Sequence, residues 1–276
     1  MKGEERESNT GMSERRIPFF GKSLSMQELT HLSSTPIPKA VIGGLVVILG
    51  ICAYGLVLLH WDKQAFLVWI REDGFVEWLT VAELVIMSVF SFSMSRAFSR
   101  SGQRKAAESI WLFMGFLFLF GALEEISWGQ RILGIESPQW FLKHNKQGET
   151  NIHNLLIYGV NINKLVFGKI LTILIALYLL PVPLLYRISE RWKNLVNRWG
   201  IPIAQNYQIL LFIIVIVIIQ LHLGLAKKAG ELLELCSCFL FLLILVHPSN
   251  GEVFPLKVLG PQRSRPSPEE EKGPES

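Results

Sequence analysis

Residues 41–59 carry no charged side chain, and neither do residues 207–226. An apolar run of about 20 residues matches the hydrocarbon core of a bilayer at 1.5 Å rise per residue. These two runs constrain the chain more than any other feature, because they mark membrane-spanning helices. Composition agrees: 50% of the 276 residues are hydrophobic and 18% are charged, against about 25% charged in soluble domains. A soluble enzyme, a disordered chain and a disulfide-rich secreted domain are excluded. The expected fold class is an all-α polytopic membrane protein.

Hydropathy patterning predicts six spans, near residues 40–59, 75–95, 109–126, 170–186, 207–226 and 230–247. The second and third carry acids, and the fourth ends in Pro181 and Pro183. The first span follows a polar arm and has no small-residue cleavage site after it, so it reads as a retained helix rather than a signal peptide. With a cytoplasmic N-terminus, eighteen of the 27 Lys and Arg residues fall on the inner side and nine on the outer. That excess places both termini in the cytoplasm. It also accounts for the net charge of +4 without a nucleic-acid partner. The expected organisation is a largely disordered cytoplasmic arm (1–39), a membrane domain (40–247) with a folded outer cap (127–169) between helices three and four, and a largely disordered cytoplasmic tail (248–276). Residues 187–198 place Trp192 and Leu195 at helical spacing, with Trp199 following, and predict an amphipathic helix on the inner interface. No internal repeat is evident. Cys52, Cys236 and Cys238 all lie in apolar runs and read as small core residues, not as a disulfide or a metal pair.

The acids gather at the outer ends of the spans. Glu77 opens the second, Glu124 and Glu125 close the third, and Glu231 and Glu234 open the sixth. Glu83 is deepest, where an ionised side chain facing lipid costs roughly 2.5–3.5 kcal/mol. It is six residues from Glu77 and so need not share a site with it. Glu77 and Glu231 can also be read as favouring a helix N-terminus. His222 ends the fifth span beside Gln220, as a core histidine or as a ligand.

The loop after the third span is the most distinctive stretch. It reads EEISWGQRILGIESPQWFLKHNKQGETNIHN over residues 124–154. A helix continuing outward would put Glu124, Ser127, Trp128 and Arg131 on one face. Ser137 and Pro138 have the form of a helix cap and first turn, which predicts a short helix to about His144. Gln130, Gln147, Glu149, Asn151, His153 and Asn154 supply further polar groups. The cap is either structural, with its polar groups satisfying one another, or half of a site.

The GALEEISWGQRILGIESPQW and NKQGETNIHNL segments, with REDGFVEWLT at residues 71–80, resemble an uncharacterised family of bacterial multi-pass inner-membrane proteins. The resemblance covers roughly residues 71–154, with a weaker echo at 230–234. It implies a bacterial inner-membrane protein and no particular reaction.

Three functions fit these residues. One is an outward-facing site that binds or acts on a lipid or lipid-linked ligand. Its catalytic candidates are Glu124, Glu125, Arg131, Glu149 and His153, and a divalent metal such as zinc could be held by His153, His222 and Glu234. The second is a non-catalytic membrane subunit or assembly factor with a membrane-protein partner. The third is a proton- or ion-coupled transporter using Glu83, Glu234 and His222. The chain contains no H-E-x-x-H pair and no nucleophilic serine elbow.

Overall fold

The computed structural model describes residues 16–19, 22–25, 37–71, 74–102, 104–222 and 230–256. Residues 1–37 form a unit of their own. Within the arm expected to be unstructured, β1 (Arg16–Phe19) and β2 (Lys22–Ser25) pair as a short antiparallel hairpin, with Arg16 opposite Ser25. The rest of that arm, and the tail beyond residue 256, lie outside the described residues.

Among its described residues the second unit is helical, with one two-residue strand pair. Its helices are α1 (Lys39–Trp61), α2 (Lys63–Trp69), α3 (Phe75–Ser101), α4 (Lys105–Glu125), α5 (Gln130–Leu133), α6 (Gln139–His144), α7 (Leu171–Leu179), α8 (Pro181–Ile188), α9 (Glu190–Trp199), α10 (Asn206–His222) and α11 (Gly230–Val246). Local chemistry sets the breaks. The Asp62 carboxylate caps α2 by accepting from the backbone N–H of Gln64 and Ala65 at 3.0 and 2.9 Å, as an N-cap side chain does. Gly102 ends α3 with φ of 67°, a left-handed conformation that glycine adopts without penalty. Pro181 cannot donate within a continuing helix, so it separates α7 from α8 and starts the latter.

Four helical stretches are long and apolar enough to cross a bilayer: α1, α3, α4 and the combined Leu171–Ile188. The expected fifth and sixth spans correspond to α10 and α11, which are shorter, with 17 residues each. Residues 223–226, expected to finish the fifth span, lie outside the described residues. The four long apolar helices make the chain compatible with an integral membrane protein.

α3 and α4 form a closely packed antiparallel pair. Ser88 Oγ donates to the Gly115 carbonyl at 2.8 Å, and Ser95 Oγ to the Glu108 carbonyl at 2.9 Å. Gly115 is required there, since a Cβ would lie 2.5 Å from the Phe92 ring. Small residues let two helix backbones approach where lipid offers no hydrophobic driving force. α11 packs against α1, α3 and α10. Its Leu232, Leu235, Leu240 and Leu243 join Val41, Ile48 and Leu59 of α1 and Phe212, Val215 and Ile219 of α10 in the larger core. A second core unites Met87, Met94 and Phe98 of α3 with Ala107, Trp111 and Phe118 of α4. Cys52 and Cys236, expected to be separate core residues, are joined by a disulfide between α1 and α11. Both are buried, and the docking of these two helices brings them together across 184 residues. Cys238 is free.

Candidate functional site

The cap begins with a backbone reversal. α4 stops at Glu125, and Ser127, Trp128 and Gly129 then take φ of 47°, 57° and 75°. Only the third is glycine, so two side-chain-bearing residues are held in a region that costs roughly 1–2 kcal/mol each. The expected outward continuation of α4 is therefore replaced by a left-handed turn. The turn is held by its side chains. Trp128 Nε1 donates to Glu124 Oε1 at 2.7 Å, and Ser127 Oγ donates to Glu149 Oε2 at 2.5 Å.

Glu124 is buried and its two oxygens have distinct tasks. Oε1 takes the Trp128 indole, while Oε2 accepts from the backbone N–H of Ile152 and His153 at 2.7 and 2.9 Å. One carboxylate thus joins the end of α4 to the far limb of the cap. Arg131 performs the corresponding task for cations. Its Nη1 donates to Glu149 Oε1 at 2.8 Å and its Nη2 to Glu77 Oε1 at 2.7 Å. Charge-assisted bonds of this kind are about twice as strong as neutral ones. Asn151 Nδ2 donates to both Ser127 Oγ and Glu149 Oε2 at 2.9 Å.

The remaining candidates close the loop. Gln130 Nε2 donates to Ser137 Oγ at 2.6 Å, and its Oε1 accepts from the Thr150 N–H at 2.7 Å. Ser137 is thereby engaged with Gln130 and Thr150 and does not cap α6, whose start at Gln139 has no side-chain cap. Asn145 donates to the Asn151 side chain at 2.7 Å and accepts from the N–H of Gln147 and Glu149. Asn154 bonds Gln147 Oε1 and meets His153 Nε2. The cap ends in the ladder of β3 (Leu156–Ile157) and β4 (Val160–Asn161).

Glu125 and Glu234 lie within electrostatic reach of each other and each within reach of Glu77 and Glu231, and Glu125 also feels His153. His153 Nδ1 is 3.5 Å from Glu124 Oε2. Burial disfavours the charged imidazole, but the Glu124 hydrogen bond and the charges of Glu125, Glu124 and Glu149 outweigh it and raise the His153 pKa above its ordinary value.

The structure does not gather every candidate. Glu83 is buried in α3, away from the Arg131 network. His222 was expected to share a metal with His153 and Glu234. Its ring instead meets His60 edge-on, with centroids 5.1 Å apart, and its Nδ1 lies 2.5 Å from the Ile218 carbonyl oxygen. Among the described residues no three His, Cys, Asp or Glu side chains converge in a way that could hold a metal ion. Glu124, Ser127, Ser137, Asn145 and Asn151 are buried within the cap, while Ile132, Leu133, Ile135, Trp140, Leu142 and Tyr158 are exposed alongside Glu136, Lys143 and Lys146.

A second polar cluster, not anticipated from the sequence, lies at the opposite end of α11. His247 is wholly buried, with Nδ1 2.6 Å from the Tyr207 hydroxyl and Nε2 3.0 Å from Gln205 Nε2. Gln208 donates to the carbonyls of Leu243 and His247. Asn250 Oδ1 accepts from the Ile203 N–H at 2.9 Å, and Trp111 Nε1 donates to the Gly200 carbonyl at 2.9 Å. Every described partner is internal, so the cluster reads as a clamp. The only sequence signal was several amides and a histidine near helix ends. Comparison with protein-family models, with curated proteins and with solved structures finds no match in any of the three.

Proposed function

We propose that this chain is a six-span bacterial inner-membrane protein with cytoplasmic termini, and that its outward-facing cap binds the polar head of a lipid or lipid-linked ligand. The exposed apolar residues of the cap, set beside its buried polar network, carry this reading. Exposed Ile132, Leu133, Ile135, Trp140 and Leu142 suit the bilayer interface, and a ligand anchored in the same interface reaches the carboxylates without leaving it. α10 and α11 support six spans, since 17 residues rise about 26 Å, close to the hydrocarbon thickness. Glu125, Glu231 and Glu234 favour a headgroup bearing an amine or several hydroxyls. Arg131 and Glu149 are fixed on one another and Glu124 on the cap backbone, which gives them a positioning role and makes Glu125 the group for a ligand.

Purified protein in nanodiscs of mixed phosphatidylethanolamine and phosphatidylglycerol tests this. Native mass spectrometry is expected to show retained amine-bearing lipid, reduced in Glu125→Gln and Glu231→Gln. Equal retention of both lipids by the native chain would reject the headgroup assignment.

One observation favours the alternative of a non-catalytic subunit or assembly factor. The Leu171–Ile188 span is only 11% buried, so this helix has a large unpartnered face. Recovery of a stoichiometric membrane partner crosslinked through Ile173 or Leu177, with no retained lipid, would favour that reading.

A further inference from the structure

One acid takes no part in the cap. Glu83 is 5% exposed, and its Oε2 has no hydrogen-bond partner among the described residues. α3 begins at Phe75, so Glu83 lies eight residues, about 12 Å, along the helix from the cap end. α11 packs against α3 and carries Glu231, Glu234 and Cys238 at positions i, i+3 and i+7, along one face. The Cys238 thiol lies within electrostatic range of Glu83 and also of Glu234 and Glu125.

An ionised Glu83 would place a bare charge in apolar surroundings with one oxygen unpaired. Protonation removes the charge and leaves a neutral acid. We propose that Glu83 is a proton-binding site between α3 and α11, reached from the cap end along the Glu231, Glu234 and Cys238 stripe of α11. The step is a single proton transfer. An O–H bond forms on Glu83 as one breaks on a water or a carboxylic acid nearer the cap, and the negative charge moves toward the cap. No electron moves and no co-reactant is consumed. Of the titratable groups on the neighbouring elements, Cys238 of α11 interacts with Glu83, and Glu234 of α11 and Glu125 of α4 interact with Cys238. The Glu83 site stands apart from the headgroup reading, because no hydrogen bond among the described residues joins Glu83 to a cap residue, while the route shares Glu231 and Glu234 with it.

The test uses the full chain in nanodiscs. Dicyclohexylcarbodiimide forms a stable adduct on protonated carboxyl groups in apolar surroundings, and peptide mapping locates it. The native protein is expected to carry the adduct on Glu83 at neutral pH. Infrared spectra are expected to show an acid carbonyl band that is absent in Glu83→Gln and shifts on transfer to D₂O. Cys238→Leu and Glu234→Gln are expected to slow that shift by about tenfold or more, the factor given by ~1.4 kcal/mol of added barrier. A native chain with no adduct on Glu83 would overturn the site, whatever the variants do. A band that never exchanges, or that exchanges at the same rate in both route variants, would overturn the path.

Discussion

The guanidinium of Arg131 reaches the carboxylate of Glu77 across 54 residues of sequence, with Nη2 to Oε1 at 2.7 Å. The same guanidinium holds Glu149 through Nη1. Arg131 therefore joins the first turn of α3 to the cap, as Glu124 joins the end of α4 to it.

Removing it should be costly. Arg131→Ala leaves Glu77 and Glu149 facing each other without their shared cation, and both are mostly buried. The expected destabilisation is about 1–3 kcal/mol, allowing for partial exposure of the pair. Arg131→Lys should recover less than half of it, because an ammonium cannot present two nitrogens in a fixed fork. Thermal unfolding in detergent compares the three proteins.

Glu124→Gln is nearly isosteric but replaces one acceptor oxygen with an amide donor. That amide must face either the Trp128 indole or the N–H groups of Ile152 and His153, all of which are donors. A loss of about 1–3 kcal/mol is expected. Hydrogen exchange at the Ile152 and His153 amides should speed up while α3 and α4 stay protected. Unchanged exchange at both amides would contradict the bonding described for Glu124.

The raised pKa of His153 makes the cap pH-dependent. A histidine favoured in its charged form stabilises the fold fully below its unfolded value of about 6.5, and that contribution is lost as pH rises through the higher folded value. The difference in melting temperature between the native chain and His153→Gln should therefore be largest in mild acid and shrink through neutral to alkaline pH. A difference that is flat with pH would contradict it.

Gly115→Val should separate α3 from α4. The added Cβ meets the Phe92 ring at 2.5 Å and disturbs the Ser88 bond to the Gly115 carbonyl. Overpacking of this kind costs typically about 1–3 kcal/mol. Ser88→Ala in the same background should then cost little more, because its partner has already moved. A double-mutant cycle measures that coupling.

Much of the frame was legible in the chain. Unbroken apolar runs marked α1 and α10, and the Glu124–Trp128 spacing of four anticipated a contact that survives the helix break. The left-handed turn at Ser127 and Trp128 was not legible, because positive φ at non-glycine residues is held by distant partners such as Glu149 and Asn151. The Arg131–Glu77 pair and the Cys52–Cys236 link depend on how helices dock, and spacing along one helix carries no trace of that. His222 looked equivalent to His153 by its place at the outer end, yet its helix turns it toward His60. The His247 cluster was invisible for a different reason: Gln205, Gln208 and Asn250 are individually ordinary, and only their burial together distinguishes them.

That cluster bears on how the chain is assembled during synthesis. The Ile203 N–H has its partner on Asn250, the Ser249 N–H donates to the Ile203 carbonyl, and Gln205 and Tyr207 await His247. All of these partners are translated after α11. The segment leading into α10 therefore stays incomplete until Asn250 has left the ribosome. A nascent chain exposed only to residue 246 should be a target for quality-control proteolysis at 201–208, and exposure through Asn250 should protect it.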